Sequence, residues 1–281
     1  MKDHSQSMKA ETFKTLHERA GLVVLPNPWD AGSAKLLAAM GYEALATTSA
    51  GLAWMLGKPD GAAAVTREES MRNAREIVDA TGLPVAADLE NGYGDDPEDC
   101  ATTILQAAKA GLVGGSIEDA TGRPGDPIYP IELAVERVSA AVKAARSLPF
   151  PFILAARAEN LINGRADLPD TIRRLEAFAA AGADVLYAPG LKTKAEVSAV
   201  VKAVAPRPVN VLVGTAVLRL PLEELAELGV KRVSLGSALA RVAYGAMMQA
   251  AEGLGRTGDL SFVGSAVTYA AINDMLKKSY P

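Results

Sequence analysis

Short apolar runs alternate along the chain with longer stretches whose apolar residues recur every three or four positions, and a glycine or proline stands at each join. Gly21 precedes Leu-Val-Val-Leu, Gly41 precedes Tyr-Glu-Ala-Leu-Ala, and Gly82 precedes Leu-Pro-Val-Ala-Ala. Gly111, Gly182 and Gly229 lead into three more runs, and two others begin at Pro151 and Pro208. A residue just past a helix often needs a left-handed backbone, which glycine adopts without steric cost. The pattern therefore predicts eight strands starting near 22, 43, 84, 113, 152, 184, 208 and 232. Helices are predicted over 33–40, 67–80, 97–110, 131–145, 170–181, 194–203 and 222–228. Eight β-then-α units stepping by about 30 residues predict a closed parallel (β/α)8 barrel, where six would leave an open sheet. No linker or low-complexity stretch interrupts the pattern, so residues 1–281 read as one barrel domain. The helical material over 247–281 exceeds what eight units need, and serves either to cap the barrel or to join subunits.

Composition narrows the function. Lys and Arg number 29 against 33 Asp and Glu, a net charge of −4, which excludes the basic stripe of a nucleic-acid binder. Apolar residues make up 49% of the chain, yet none of their runs nears the roughly 18 residues a membrane span requires. The first residues carry charge where a signal peptide would be apolar. A lone cysteine, Cys100, excludes an intramolecular disulfide. The expectation is a cytoplasmic protein.

Barrel chemistry gathers where strands end and βα loops begin. Two-residue alternation places Ala86, Asp88 and Glu90 on one face of the third strand. Gly114, Ser116 and Glu118 share a face of the fourth, leaving Asp119 on the other, and Ile153, Ala155, Arg157 and Glu159 share one of the fifth. If these faces point inward, the mouth collects Asp88, Glu90 and Glu118, a costly cluster of like charge unless a cation neutralises it. Oxygen ligands alone suit Mg²⁺ or Mn²⁺; the competing reading pairs the acids with Arg157 and loop arginines. Both histidines, His4 and His17, precede the first strand, so zinc, a Ser-His-Asp triad and a histidine base are excluded from the barrel. Cys100 sits beside Glu98 and Asp99, which disfavours a thiolate and makes it a packing residue. The turn from Thr47 to Gly51 could hold an anion on its amides and the Ser49 hydroxyl, and Gly214 and Gly236 keep a phosphate-binding barrel open. The glycine- and proline-rich segment 121–130 is placed to cover the mouth as a lid or to stand as a rigid loop.

Pro26-Asn-Pro-Trp-Asp, Leu56-Gly-Lys-Pro-Asp, Asp88-Leu-Glu-Asn-Gly-Tyr-Gly, Ser116-Ile-Glu-Asp and Ala155-Ala-Arg-Ala-Glu occur in this order. Together they resemble the isocitrate lyase and phosphoenolpyruvate mutase superfamily over about residues 22–240. The resemblance implies a barrel whose eighth helix is exchanged between subunits, in a homotetramer or dimer. It implies Mg²⁺ at Asp88, with Glu90 and Glu118 acting directly or through water. Ser49, Ala50 and Gly51 would hold a substrate carboxylate, Arg157 would face the oxo group, and Asp60 would stand at the reacting centre.

The departures bear on activity. Lyases of the group carry a Lys-Lys-Cys-Gly-His type motif in the lid, whereas this lid reads Thr-Gly-Arg-Pro-Gly-Asp from Thr121. The lid lysine and asparagine of the mutases are missing too, and Ala188-Pro189 replaces a residue specific to each group. What the resemblance leaves is cleavage of a small 2-oxo or 2-hydroxy dicarboxylate, with oxaloacetate-like decarboxylation the simplest case. Two alternatives stand beside it: a phosphoenolpyruvate or phosphonopyruvate mutase or hydrolase, and a non-catalytic 2-oxo acid binder.

Overall fold

The glycine-punctuated runs become strands within two residues of where the pattern places them. A computed structural model describes residues 2–61, 63–214 and 218–277. Its strands are β1 (Val23–Leu25), β2 (Leu45–Ala46), β3 (Val85–Asp88), β4 (Gly114–Glu118), β5 (Ile153–Arg157), β6 (Val185–Tyr187), β7 (Val209–Leu212) and β8 (Arg232–Ser234). All neighbours pair in parallel in the order β1-β8-β7-β6-β5-β4-β3-β2. The Ala46 N–H donates to the Pro26 carbonyl at 3.1 Å across the remaining gap between β1 and β2. The result is a nearly closed (β/α)8 barrel, as the repeat predicts.

The helices are α1 (Lys2–Glu18), α2 (Ala31–Ala39), α3 (Ser49–Met55), α4 (Arg67–Ala80), α5 (Pro97–Lys109) and α6 (Ile131–Arg146). They continue with α7 (Leu168–Ala180), α8 (Lys194–Val204), α9 (Leu222–Glu227), α10 (Ala238–Thr257) and α11 (Tyr269–Lys277). Several of these differ from the sequence reading: α1 lies outside the predicted helices, and α2 and α7 each start two residues before the predicted position. The turn expected at Thr47–Gly51 opens a helix instead, because Thr48 accepts the Gly51 N–H and caps α3. Helix α7 begins at Leu168 because Asp167 caps it, with a proline in its first turn, where a missing N–H costs nothing.

Side-chain alternation builds separate cores. Val85, Ala87, Ile117 and Leu154 face the helix ring, as do Leu186, Val209, Val211 and Val233. Val23, Leu25, Ala86, Ile153, Ala155 and Val185 face the barrel axis, where Ala10, Phe13 and Leu16 of α1 plug one end. The plug needs room that only glycine leaves at position 114, where an added Cβ would stand 2.8 Å from Phe13 Cε1. Beside Phe13 lies His17, ring to ring edge-on at 4.6 Å and buried. Burial, aided by the charge of Arg232, pushes its pKa from 6.5 down to about 4. Between those values the unfolded chain binds a proton that the native protein does not. Stability is therefore full above pH 6.5 and lost as the pH falls toward 4, by up to about 3 kcal/mol. Urea titrations at pH 7 and pH 5 should show the loss in the wild type and a smaller one in His17→Gln.

The C-terminal extension is helical, as expected, and starts earlier. Only Ala240 of α10 is buried, while Val242, Met247, Met248 and Leu254 are exposed. A 3-10 turn at Ser261–Ser265 leads to α11, which lies against α2. The end of the expected extension, 278–281, lies outside the described residues. Among the described residues no helix is long and apolar enough to cross a membrane.

Candidate active site

Arg157 ends β5 and points into the barrel mouth, where its side chain is 11% exposed. Its Nη1 donates to Asp88 Oδ1 at 2.8 Å, its Nε to Glu159 Oε1 at 2.8 Å, and its Nη2 lies 3.1 Å from Glu118 Oε2. Parallel register brings these groups level, because Glu118 pairs with Arg157 in the ladder. The face of Tyr187 on β6 lies under the guanidinium, 4.9 Å from the ring centroid. Burial opposes the charge of Arg157, but Glu159, Glu118 and Asp88 hold its pKa well above the ordinary value.

The acids reach the mouth by two routes. Asp88, Glu118 and Arg157 follow strand alternation to the last residue of each strand. Glu90 does not. β3 ends at Asp88, Leu89 turns into the outer core, and Glu90 lines the cavity from a left-handed backbone with φ +47°. That conformation is strained for a residue with a Cβ. Asp119 points the other way, as expected, and is buried against Arg174 at 3.0 Å.

The mouth cavity, about 210 Å³, is lined by Ser49, Asp60, Glu90, Glu118, Arg157 and Glu159. Asp88 lies just beneath, its Oδ2 accepting from the Ser49 hydroxyl at 2.9 Å. Ala50 and Gly51 are buried behind Ser49, and the Gly51 amide serves the Thr48 cap. A Cβ on Gly51 would meet Trp29 Cβ at 2.8 Å. The Leu235 and Gly236 amides donate to Asn27 Oδ1 at 2.8 and 2.9 Å, so the turn after β8, which kept a phosphate-binding barrel open, is engaged within the protein.

Five carboxyl groups surround one guanidinium here, so negative charge is in excess. Burial and the charges of Asp88 and Asp60 push Glu90 up to about 7. Burial with Asp88 raises Asp60, and burial, against the pull of Arg157, raises Glu118 well above the carboxylate range. Among the described residues, no three such groups converge tightly enough to hold a metal by themselves. In this arrangement Arg157 takes oxygens of both Asp88 and Glu118. An oxygen-only, excess-anionic rim with one or two carboxylates to offer still fits a hydrated Mg²⁺, which keeps several waters.

Segment 121–130 forms one wall of the cavity. Ala120 pairs antiparallel with Ile128, and Ala120, Thr121 and Gly122 face the cavity. Arg123 Nη1 donates to both oxygens of Asp95 at 2.8 and 2.9 Å, and the Tyr129 hydroxyl donates to the same carboxylate at 2.5 Å. Cys100 packs under Gly92, away from the cavity, and burial raises its thiol to about 11. Disulfide-exchange reagent should therefore titrate it slowly in the native protein and at once in denaturant; rapid native reaction would contradict this packing.

Glu159 and Tyr187, which hold Arg157 from either side, were not singled out in the sequence. The signal for Glu159 was its shared strand face with Arg157. Tyr187 gave none beyond ending a β-rich run.

An acid-rimmed (β/α)8 barrel with an arginine among carboxylates is an enzyme architecture of the lyase and mutase kind. The chain matches the phosphoenolpyruvate phosphomutase family over residues 13–254, and it belongs to that family, within the phosphoenolpyruvate mutase and isocitrate lyase superfamily. A crystal structure from Burkholderia cenocepacia J2315, provisionally assigned as a lyase/mutase, is 53% identical with a TM-score of 0.95, covering 99% of this chain and 98% of that one. Oxaloacetate acetylhydrolase in complex with its product oxalate is 27% identical with a TM-score of 0.86, over 96% and 94% of the two chains. An oxaloacetate decarboxylase of Bradyrhizobium diazoefficiens is 33% identical over 154 residues, 53% of this chain and 51% of that protein.

Proposed function

We propose that this protein is a cytoplasmic, Mg²⁺-dependent lyase of small 2-oxo or 2-hydroxy dicarboxylates, with decarboxylation of an oxaloacetate-like substrate as its reaction. The observation that carries the reading is the Arg157 guanidinium, held by three carboxylates at the wall of a cavity of about 210 Å³. Oxalate and oxaloacetate chemistry in the relatives supports the substrate class.

Asp88 and, directly or through water, Glu90 and Glu118 would hold the metal, which when bound supplies Lewis-acid polarisation of a substrate oxygen. Arg157 faces the oxo oxygen, where a fixed cation stabilises the negative charge that develops as the carbon–carbon bond breaks. Ser49, Ala50 and Gly51, at the start of α3, would hold the substrate carboxylate. Asp60, raised above its ordinary pKa, is the group placed to handle a proton at the reacting carbon. Among the described residues, no cysteine or histidine lines this cavity. That suits a decarboxylation, which needs no acid to protonate a departing carbanion in the same step.

A panel of 2-oxo acids, dicarboxylates and phosphonates assayed with and without Mg²⁺ tests the reading. Mg²⁺-dependent CO₂ and pyruvate from oxaloacetate support it. Phosphate from phosphonopyruvate would replace it with the mutase or hydrolase alternative, and tight oxalate binding without turnover would replace it with a binder. The exposed apolar side chains of α10 further support a homo-oligomer, dimer or tetramer, in which this helix docks on a second copy. Light scattering of the purified protein reads the subunit count.

A further inference from the structure

Beneath the mouth the barrel holds a second, smaller chamber of about 50 Å³, lined by Arg157, Tyr187, Ser116, Ser234 and Arg232. Arg232 starts β8, points inward and is 6% exposed. Its Nε donates to Asn210 Oδ1 at 2.9 Å, a neutral acceptor that in turn donates to the Ser234 hydroxyl at 3.0 Å. Among the described residues, the charged and titratable groups that act on it are Tyr187, Arg157 and, from the plug below, His17, with no carboxylate. Asp88 borders the chamber from above, but its oxygens are engaged by Arg157 and Ser49.

A buried charge without a counter-charge is far costlier than a paired one. A lysine or histidine in this position could release its proton, but a guanidinium does not. Arg232 forms no ion pair with the acids of the mouth among the described residues, so a negative charge from outside the chain can meet it. We propose that this chamber binds a small monovalent anion, a halide or a carboxylate, anchored by Arg232 and met by the hydroxyls of Tyr187, Ser116 and Ser234. The volume agrees: at about 15 Å³ per water-sized centre it holds an ion or a carboxylate head, and not a whole dicarboxylate. The anion is either free in solution or the far carboxylate of a substrate entering past Arg157. The site stands whichever oxo acid the mouth turns over.

Wild-type crystals soaked in sodium bromide, with and without 3,3-difluorooxaloacetate, decide the matter by anomalous difference maps. The expected result is a bromide peak in contact with the Arg232 guanidinium. A peak that persists with the dicarboxylate present identifies a free anion, and its replacement by carboxylate density identifies the substrate as the source. In solution, the Tm of the wild type should rise saturably with bromide relative to gluconate, and Arg232→Met should lose that rise. Absence of the peak, or a wild-type Tm that responds identically to the two salts, overturns the proposal without relying on the variant.

Discussion

Arg157→Met should lose about 3–5 kcal/mol of folding stability, the usual consequence of removing one partner from a buried ion pair. The wild-type guanidinium meets Asp88, Glu118 and Glu159 at once, and none of the three has another cation within ion-pair distance among the described residues. Glu118 and Glu159 already sit above their ordinary pKa through burial, so in the variant both take up protons. That protonation caps the loss and makes it, relative to the wild type at the same pH, smaller at pH 5 than at pH 8, the direction opposite to that of the His17 effect shared by both proteins. Turnover should fall by roughly 10²–10³, the range for removing one fixed donor at a developing charge. Arg157→Lys should recover part of the stability and little of the turnover, because an ammonium cannot fork between acids on two strands. Urea denaturation at two pH values and a turnover assay check this. A methionine variant with wild-type stability would show that the three acids do not depend on this residue.

Asp88→Ala should abolish binding of both Mg²⁺ and oxalate, a loss of at least about a hundredfold for a metal's direct ligand. Asp88 sits where the two cavities meet, bonded to Arg157 on one side and to the Ser49 hydroxyl on the other. Its removal leaves Arg157 paired with Glu118 and Glu159, so folding should change little and calorimetry should read the site itself. Asp88→Asn keeps the shape and loses the charge; it should bind as poorly as alanine if the carboxylate ligates, and close to normally if the residue only spaces its neighbours. Unchanged affinity for Mg²⁺ and oxalate in the alanine variant would place the metal elsewhere.

How far the site was legible depends on how local each cause is. Asp88, Glu118 and Arg157 end regular strands, so period-two alternation carried them to the mouth. Glu90 arrives at the same cavity through a left-handed turn that alternation does not describe. The stretch Thr47–Gly51 reads as a turn because small residues suit one, but the Thr48 side chain caps it into a helix. The departed lid motif was plain to read, since it concerns which residues are present. What Arg123 grips in its place, Asp95 some 28 residues earlier, was not.

Residue order alone determined the number of strands, their starts within two residues, and an acid-rich mouth without histidine or cysteine. Each follows from short-range chemistry: glycine past a helix, alternation along a strand, the identity of a side chain. Only tertiary structure decided which acids share Arg157, that α1 plugs the barrel, and that Arg232 lies inside it without a counter-charge. Those depend on the stagger of eight strands around a closed cylinder, which sets residues far apart in the chain at one height and leaves no trace in any single segment.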